Sequence, residues 1–149
     1  MMRSILAAPL FLLLASCSPS TAEDKAAALV VKMGGMVTRD EKQPGEPVVG
    51  VHLRDTPFSD TDLSALAPMT NLVSLNLSKT QVTDAGMKQL SQFKNLKSLG
   101  LRETQITDAG LKELTKVTSL TSLYLGGAQV SDAGINDFLK LLPSCEVAR

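Results

Sequence analysis

The sequence predicts an α/β solenoid, a stack of similar coils that each contribute a short strand and a short helix. Apolar residues recur at a fixed step of 24 residues, and no insertion breaks that register. Within each step, apolar residues two positions apart, as in a strand, are followed by apolar residues three positions apart, as on a helix face. A fixed period of this length is typical of chains in which each repeat packs only on its neighbours. The recurrence fills six columns: Val48, Leu72, Leu96, Leu120; Val51, Leu75, Leu99, Leu123; Leu53, Leu77, Leu101, Leu125; Phe58, Val82, Ile106, Val130; Leu63, Met87, Leu111, Ile135; and Leu66, Leu90, Leu114, Phe138.

The segment 72–95 shows the predicted anatomy of one coil. Leu75 and Leu77 have the two-residue spacing of a strand. Met87 and Leu90 have the spacing of one helix face. Each coil is therefore expected to run strand, turn and short helix.

A polar pair is expected to open each short helix. Thr83 is placed to cap the helix by accepting a backbone N–H bond, and Asp84 lies in the first turn, where the helix dipole favours negative charge. The same roles are predicted for Thr107 with Asp108, Ser131 with Asp132 and, in the first coil, Ser59 with Asp60. Gly86, Gly110 and Gly134 follow these pairs. Because the first coil has Asp62 at that step, we expect no glycine-only backbone conformation there.

An N-terminal cap is predicted over residues 24–47, because the end of a solenoid would otherwise expose its apolar interior. Ala22 to Met33 has helical periodicity, and Gly34-Gly35 supplies a stop. Met36 to Arg39 is expected to form a short strand before the first coil.

The first residues have the composition of a secretion leader. Arg3 precedes the apolar run Ile5 to Ala15, which is too short to span a bilayer but suits a signal-peptide core. The following Leu14-Ala15-Ser16-Cys17 resembles the lipobox of bacterial lipoproteins. That resemblance implies a signal peptide over 1–16, lipidation of Cys17 and a tether over 17–23. Ordinary secretion without lipid, with cleavage after Ala22, is the alternative.

The repeats themselves resemble a known family. The segment Leu72-x-x-Leu75-x-Leu77-x-x-Thr80-x-Val82-Thr83-Asp84-Ala85-Gly86 and its copy 24 residues later are similar to helix-bearing, ribonuclease-inhibitor-like leucine-rich repeats of bacterial proteins. The resemblance covers residues 48–149, as coils 48–71, 72–95, 96–119 and 120–143 with a terminal half-repeat 144–149. It implies a short right-handed horseshoe with parallel strands on the concave face and short helices on the convex face.

One turn position departs from the family's usual Asn or Cys. Thr56, Thr80 and Thr104 occupy it in the first three coils, and Ala128 occupies it in the fourth. The threonine hydroxyls are expected to bond the turn backbone and to form a ladder between stacked coils. Ala128 has no hydroxyl, so we expect its turn to be fixed less tightly.

The resemblance implies that the concave face is the binding surface. The side chains between the strand leucines are expected to point outward there, and the residues after them lie at the strand ends. The predicted partner-binding residues are His52, Arg54, Asn76, Lys79, Arg102, Glu103 and Tyr124.

Several classes of function are disfavoured by composition. The 15 basic and 15 acidic residues balance, so the chain lacks the basic field that nucleic-acid binding requires. His52 is the only histidine and has no neighbours at a metal-ligand spacing, so no catalytic site, metal or cofactor is predicted. The aspartates that recur every 24 residues could suggest a calcium ladder, but a role at the start of each helix explains them better. These aspartates are Asp60, Asp84, Asp108 and Asp132. Cys145 is expected to be a small, partly buried apolar residue.

The sequence therefore predicts a non-catalytic binding module, lipid-anchored in the bacterial cell envelope, that meets a protein partner. Two alternatives stay open at this point. The chain could be a structural protein whose copies associate with one another in the envelope. It could also be a soluble secreted or periplasmic repeat protein without lipid.

Overall fold

The computed structural model of the protein describes residues 21–149, so the predicted leader 1–16 and Cys17 lie outside the described residues. Four helices and six strands alternate along it. The helices are α1 (Ala22–Lys32), α2 (Asp84–Met87), α3 (Asp108–Leu114) and α4 (Asp132–Leu141), and 3₁₀ segments cover Leu63–Leu66 and Lys88–Gln92. The strands are β1 (Met36–Arg39), β2 (Val48–His52), β3 (Ser74–Asn76), β4 (Ser98–Gly100), β5 (Ser122–Tyr124) and β6 (Glu146–Ala148). Within residues 21–149, no helix is both long and apolar enough to cross a bilayer.

All six strands form one sheet in chain order. From β2 to β6 the strands are parallel, and each pairs with the next at the same point of the 24-residue period, as Leu75 pairs with Leu99 and Leu99 with Leu123. Strand β1 lies antiparallel to β2. The predicted α/β solenoid of parallel strands and short helices is confirmed.

The predicted columns form one continuous core. Every column residue is buried except Ile135, which is partly buried against the same cluster. Leucines in register therefore pack on one another from coil to coil, with no break in the apolar layer between β2 and β6. Burial of each such side chain contributes about 1.5–3 kcal/mol.

The N-terminal cap closes the first end of this core. The predicted helix and strand are confirmed as α1 and β1, and Val30 of α1 is fully buried. Thr21 and Asp24 form a reciprocal capping box at the start of α1. Arg39 of β1 donates to Asp24 at 2.8 Å, and this bond connects the strand to the helix. The hydrogen bonds from Thr21, followed by the contact with Arg39, lower the pKa of Asp24.

The helix-start aspartates join successive coils. Asp84 Oδ1 accepts from the backbone N–H of Thr107 at 2.8 Å, and its Oδ2 accepts from the Thr107 hydroxyl at 2.6 Å. The same two bonds run from Thr83 to Asp60 and from Ser131 to Asp108, at the same distances. The prediction placed each aspartate only at its own helix start, whereas its carboxylate binds the cap residue of the following coil. Thr83, Thr107 and Ser131 are confirmed as N-caps.

This carboxylate explains the glycines. Gly86, Gly110 and Gly134 have no positive φ, as expected. A Cβ at any of them would nevertheless overlap the carboxylate of the aspartate one coil earlier. The first coil follows the N-terminal cap, so no earlier coil places an aspartate carboxylate against it. At the position of these glycines the first coil carries Asp62.

We expect the two bonds from Ser131 to set the pKa of Asp108. The Ser131 hydroxyl and then the Ser131 backbone N–H lower that pKa, with a smaller contribution from the Arg149 charge. The stabilisation is therefore present above the ordinary aspartate pKa of about 3.9 and is lost as pH falls through the lower folded value. Ser131→Ala should raise the Asp108 pKa towards its ordinary value in a carboxyl-carbon NMR titration. Arg149→Gln, the control, should raise it less; an unchanged value in Ser131→Ala would contradict the bond.

The first coil differs from the predicted pattern. Its helical segment is the 3₁₀ turn Leu63–Leu66, which has no side-chain cap. The Ser59 N–H and hydroxyl both donate to Asp62 Oδ2, at 2.9 and 2.8 Å, so the prediction that Ser59 caps a helix was wrong. Asp60 still accepts the two hydrogen bonds from Thr83 of the second coil.

The turn threonines act within their own coils. The hydroxyls of Thr56, Thr80 and Thr104 donate to the backbone oxygens of the last inward leucine before them, at 2.6–2.7 Å. The expected bonds to the turn backbone are therefore present. The predicted threonine ladder between coils was wrong, because each hydroxyl donates to a carbonyl of its own coil instead. In the fourth coil the Ala128 N–H donates to Leu125 O at 2.9 Å, so a backbone bond closes that turn.

Candidate functional site

The outward side chains of β2–β5 and of the residues just past them form two rows across the sheet, beside a row of small residues earlier in the strands, Gly50, Ser74, Ser98 and Ser122. We call this surface the outer sheet face. Strand pairing aligns the first row, which is His52, Asn76, Gly100 and Tyr124. Backbone bonds from residues just past each strand to the next coil extend the register to the second row, which is Arg54, Ser78, Arg102 and Gly126.

A cavity opens where small residues interrupt both rows. Gly100 leaves a gap between Asn76 and Tyr124 in the first row, and Ser78 leaves one between Arg54 and Arg102 in the second. Both Gly100 and Ser78 are buried and form the floor. The resulting cavity, of about 200 Å³, is lined by Arg54, Asn76, Ser78, Gly100, Arg102 and Tyr124. We call it the arginine cavity.

Hydrogen bonds fix the floor and one wall. The Ser78 N–H donates to Asn76 Oδ1 at 3.1 Å, and the Ser78 hydroxyl accepts from the Arg102 N–H at 3.2 Å. A Cβ at Gly100 would lie 2.7 Å from Asn76 Oδ1, so only glycine leaves the Asn76 side chain in place. Ser78 lies in the second row, and its neighbours bury it.

The two arginines carry uncompensated charge. Arg102 lies over the Tyr124 ring, 5.2 Å from the guanidinium carbon to the ring centroid. The ion pairs found between residues 21 and 149 involve Arg39, Arg149 and three lysines, and they include neither Arg54 nor Arg102. Neither guanidinium donates a hydrogen bond to a described residue. The cavity therefore presents positive charge and free N–H donors to a ligand.

The predicted site residues fall into three groups. Arg54, Asn76, Arg102 and Tyr124 are brought together in the arginine cavity. His52 lies apart, in a depression of about 420 Å³ beside Thr38 of the cap strand. Lys79 and Glu103 lie past the strand ends and pair with each other at 3.5 Å. Ser78 and Gly100 were not predicted as site residues; their small size in columns of larger polar residues is the signal that could have identified them.

Lys79 and Glu103 occupy a repeated turn of unusual backbone. Asp55, Lys79, Glu103 and Gly127 share one column, and all four have positive φ, between 54° and 77°. Left-handed backbone favours glycine, so three of the four coils hold a larger residue there at some cost. The repetition in every coil marks it as a feature of the turn rather than of one binding residue.

Another large depression lies on the helix side of the molecule. It has a volume of about 480 Å³ between α3 and α4, with Lys112, Asp137 and the exposed Leu141 in its lining. Asp137 is already paired with Lys140 at 2.7 Å. None of the predicted site residues lines this groove.

Chemistry beyond binding has little support among the described residues. No group of three or more His, Cys, Asp or Glu side chains between residues 21 and 149 could hold a metal ion. The carboxylates of the predicted aspartate column are already bonded to the next coil. Cys145 is more fully buried than predicted, and burial raises the pKa of its thiol, which disfavours the reactive thiolate.

Comparison with known proteins supports the repeat assignment. Three segments, residues 69–91, 94–114 and 117–138, match the family model described as Leucine Rich repeat. No curated protein matches the chain.

Three solved structures illustrate the structural similarity. A leucine-rich repeat protein of Leptospira interrogans is 27% identical, with a TM-score of 0.48, over 57% of this chain and 21% of that one. Internalin C2 from Listeria monocytogenes is 29% identical, with a TM-score of 0.46, over 56% and 34%. Actin-binding site 2 of leiomodin-1 is 17% identical, with a TM-score of 0.57, over 86% and 79%.

These similarities bear on the fold. The chain spans about a fifth of the Leptospira protein and a third of the internalin. The leiomodin segment shares the architecture over most of both chains, and at 17% identity it supports the fold alone. The three segments that match the Leucine Rich repeat model and the 24-residue strand register describe repeats of that kind stacked as an α/β solenoid, an architecture that fits a non-catalytic binding role.

Proposed function

We propose that this protein is a non-catalytic binding module that recognises a protein partner through the outer sheet face and is held at a bacterial envelope membrane by lipid on Cys17. The observation that carries the binding role is the arginine cavity. There the register of four strands brings four predicted site residues together, with two guanidinium groups unpaired. The helices of the later coils support a helix-bearing, ribonuclease-inhibitor-like type of repeat.

The size of the outer sheet face limits the expected affinity. Adjacent strands lie about 4.8 Å apart, so the five parallel strands give a face about 20 Å wide. A stable protein interface buries about 800 Å² per partner, which is near or above what this face offers. Binding is therefore weak for a single copy and gains strength from many copies in one membrane plane. Nanomolar affinity between a soluble monomer and its partner would contradict this.

The anchor is proposed from the lipobox-like Leu14-Ala15-Ser16-Cys17. Each buried methylene of an attached chain contributes about 0.8 kcal/mol, so two or more acyl chains hold the protein stably. Because the cap of α1 is Thr21, the four steps from Cys17 span at most about 14 Å, which keeps the repeats near the membrane surface.

Metabolic labelling with an alkyne fatty acid tests the anchor. The full chain expressed in a bacterium should take up label and sediment with membranes, and Cys17→Ser should lose both. Cys145→Ser is the matched control and should keep both, because Cys145 lies in the last coil. Label that survives Cys17→Ser, or a soluble unlabelled wild type, would favour the secreted alternative.

Site-specific photocrosslinking tests the binding face. A photoreactive residue at Ser98, on the outer sheet face, should capture a distinct partner polypeptide from the producing cells' envelope. The same residue at the exposed Lys88, on the helix side, should not. A product from Ser98 with twice the mass of the chain would favour the self-associating alternative, and equal capture from both positions would refute a specific face.

A further inference from the structure

We propose that the arginine cavity binds a carboxylate group of a partner polypeptide, held between Arg54 and Arg102 and oriented by Asn76. This inference rests on the proposed binding function and names the chemistry that the outer sheet face recognises.

The spacing of the two arginines suits one shared anion. Arg54 follows β2 and Arg102 follows β4, two strands apart, so their backbones are about 10 Å from each other. Two arginine side chains that start this far apart can converge on a group placed between them. Ser78 stands between them on β3's coil and is buried, so nothing of the sheet fills that space.

No carboxylate among residues 21–149 forms an ion pair with the arginines of the cavity. Glu103 follows Arg102 directly, but its carboxylate pairs with Lys79 at 3.5 Å. Asp55 follows Arg54 directly and forms no ion pair in the described chain. Two guanidinium groups beside each other repel, so an incoming anion relieves repulsion as well as gaining bonds. The planar guanidinium presents paired N–H donors that match the two oxygens of a carboxylate.

Asn76 is oriented as a donor. Its Oδ1 is occupied by the Ser78 N–H at 3.1 Å, so that bond directs the amide NH₂ group away from the backbone. Gly100 keeps this arrangement free of a Cβ that would lie 2.7 Å from Oδ1. Tyr124, held under Arg102, adds a phenol at the opposite wall. The walls thus supply donors on several sides, as a carboxylate requires.

The size of the cavity favours a polypeptide over a small molecule as the source of the carboxylate. Sites for small molecules usually measure about 300–1,000 Å³. The arginine cavity, at about 200 Å³, is smaller and open to the face on which a partner would lie. It fits the end of one residue, either an acidic side chain or the terminal carboxylate of a polypeptide.

The protein contains its own reporter for the test. Tyr124 is the single tyrosine and there is no tryptophan, so intrinsic fluorescence comes from the cavity wall. The full chain in detergent is titrated with four N-acetylated tripeptides: amidated Gly-Glu-Gly, amidated Gly-Gln-Gly, amidated Gly-phosphoserine-Gly, and Gly-Gly-Gly with a free carboxylate.

We expect a saturable change in Tyr124 fluorescence with amidated Gly-Glu-Gly, with free-acid Gly-Gly-Gly or with both. Comparison of these two peptides distinguishes an acidic side chain from a chain terminus. The amidated Gly-Gln-Gly should give none. Higher salt should weaken the binding, because the cavity is exposed to screening. Binding of Gly-Gln-Gly as strong as that of Gly-Glu-Gly, or saturation by the phosphoserine peptide alone, would overturn the proposal.

Arginine variants complete the test. Arg54→Gln and Arg102→Gln should each raise the dissociation constant for the acidic peptide about tenfold, the loss expected for a bond to a charged group. Lys88→Gln removes one exposed positive charge on the helix side and should leave it unchanged. Arg54 follows β2 and the reporter ring is on β5, three strands away, so its variant separates lost binding from altered fluorescence, and circular dichroism checks the fold. An unchanged constant in both arginine variants would overturn the proposal, whereas partner capture at Ser98 would still support the binding function.

Discussion

Replacing Gly110 by alanine is expected to lower the free energy of unfolding by about 2–4 kcal/mol, although alanine is the better helix former. The new Cβ would overlap the Asp84 carboxylate and lie 2.9 Å from the Ile106 side chain. Overpacking of this kind costs about 1–3 kcal/mol, and displacing Asp84 also weakens its two bonds to Thr107. Chemical denaturation of the purified protein measures the change.

A double-mutant cycle separates crowding from backbone effects. In an Asp84→Ala background, Gly110→Ala should cost less than about 1 kcal/mol, because the clashing carboxylate is gone, only the Ile106 contact remains, and alanine is favoured over glycine in a helix by about 1 kcal/mol. Lys112→Ala, an exposed change in the same helix α3, should stay within about 0.5 kcal/mol. Equal costs of Gly110→Ala in both backgrounds would show that Asp84 does not require the glycine.

The bonds between Asp84 and Thr107 also show where sequence reasoning reached its limit. The period of 24 residues predicted the strands, the buried columns and the helix caps of the second to fourth coils, because each of these follows from local spacing. The partner of Asp84 does not follow from spacing. Its carboxylate can face its own helix start or the Thr107 cap of the next coil, and both roles favour an acid at that position. Only the distance between stacked coils decides between them.

The candidate site divides in a similar way. The two rows of the outer sheet face could be predicted, because alternate strand residues point to one side. The pairing of charges could not. Arg54 is followed by Asp55 and Arg102 by Glu103, and this order suggests local compensation. In the fold, the acids begin a left-handed turn and Glu103 pairs with Lys79, so both arginines stay unpaired.

The largest loss of stability is expected from Leu99→Ala. Leu99 is the centre of β4, is fully buried and lies in register between Leu75 and Leu123. Large-to-small changes of this kind cost about 2–5 kcal/mol, and the cost rises when the surroundings cannot collapse into the cavity. Here strand pairing on both sides holds the neighbouring leucines at fixed spacing, so we expect a value in the upper half of that range by chemical denaturation.

Two matched leucine variants test whether the coils share one core. Leu141→Ala removes the same atoms from a side chain that is 66% exposed and should change the free energy of unfolding by less than about 0.5 kcal/mol. Leu99→Met preserves volume and should cost less than about 1.5 kcal/mol.

Because the apolar layer runs unbroken from β2 to β6, a cavity at Leu99 removes contacts from the coils on both sides of it. A stack this short is then expected to unfold in one transition, with the amides of β3, β4 and β5 losing hydrogen-exchange protection together. Loss of protection confined to β4 would mean that the coils are stabilised separately. The outer sheet face would then be a set of independent strands, and no rigid cavity could span β2 to β5.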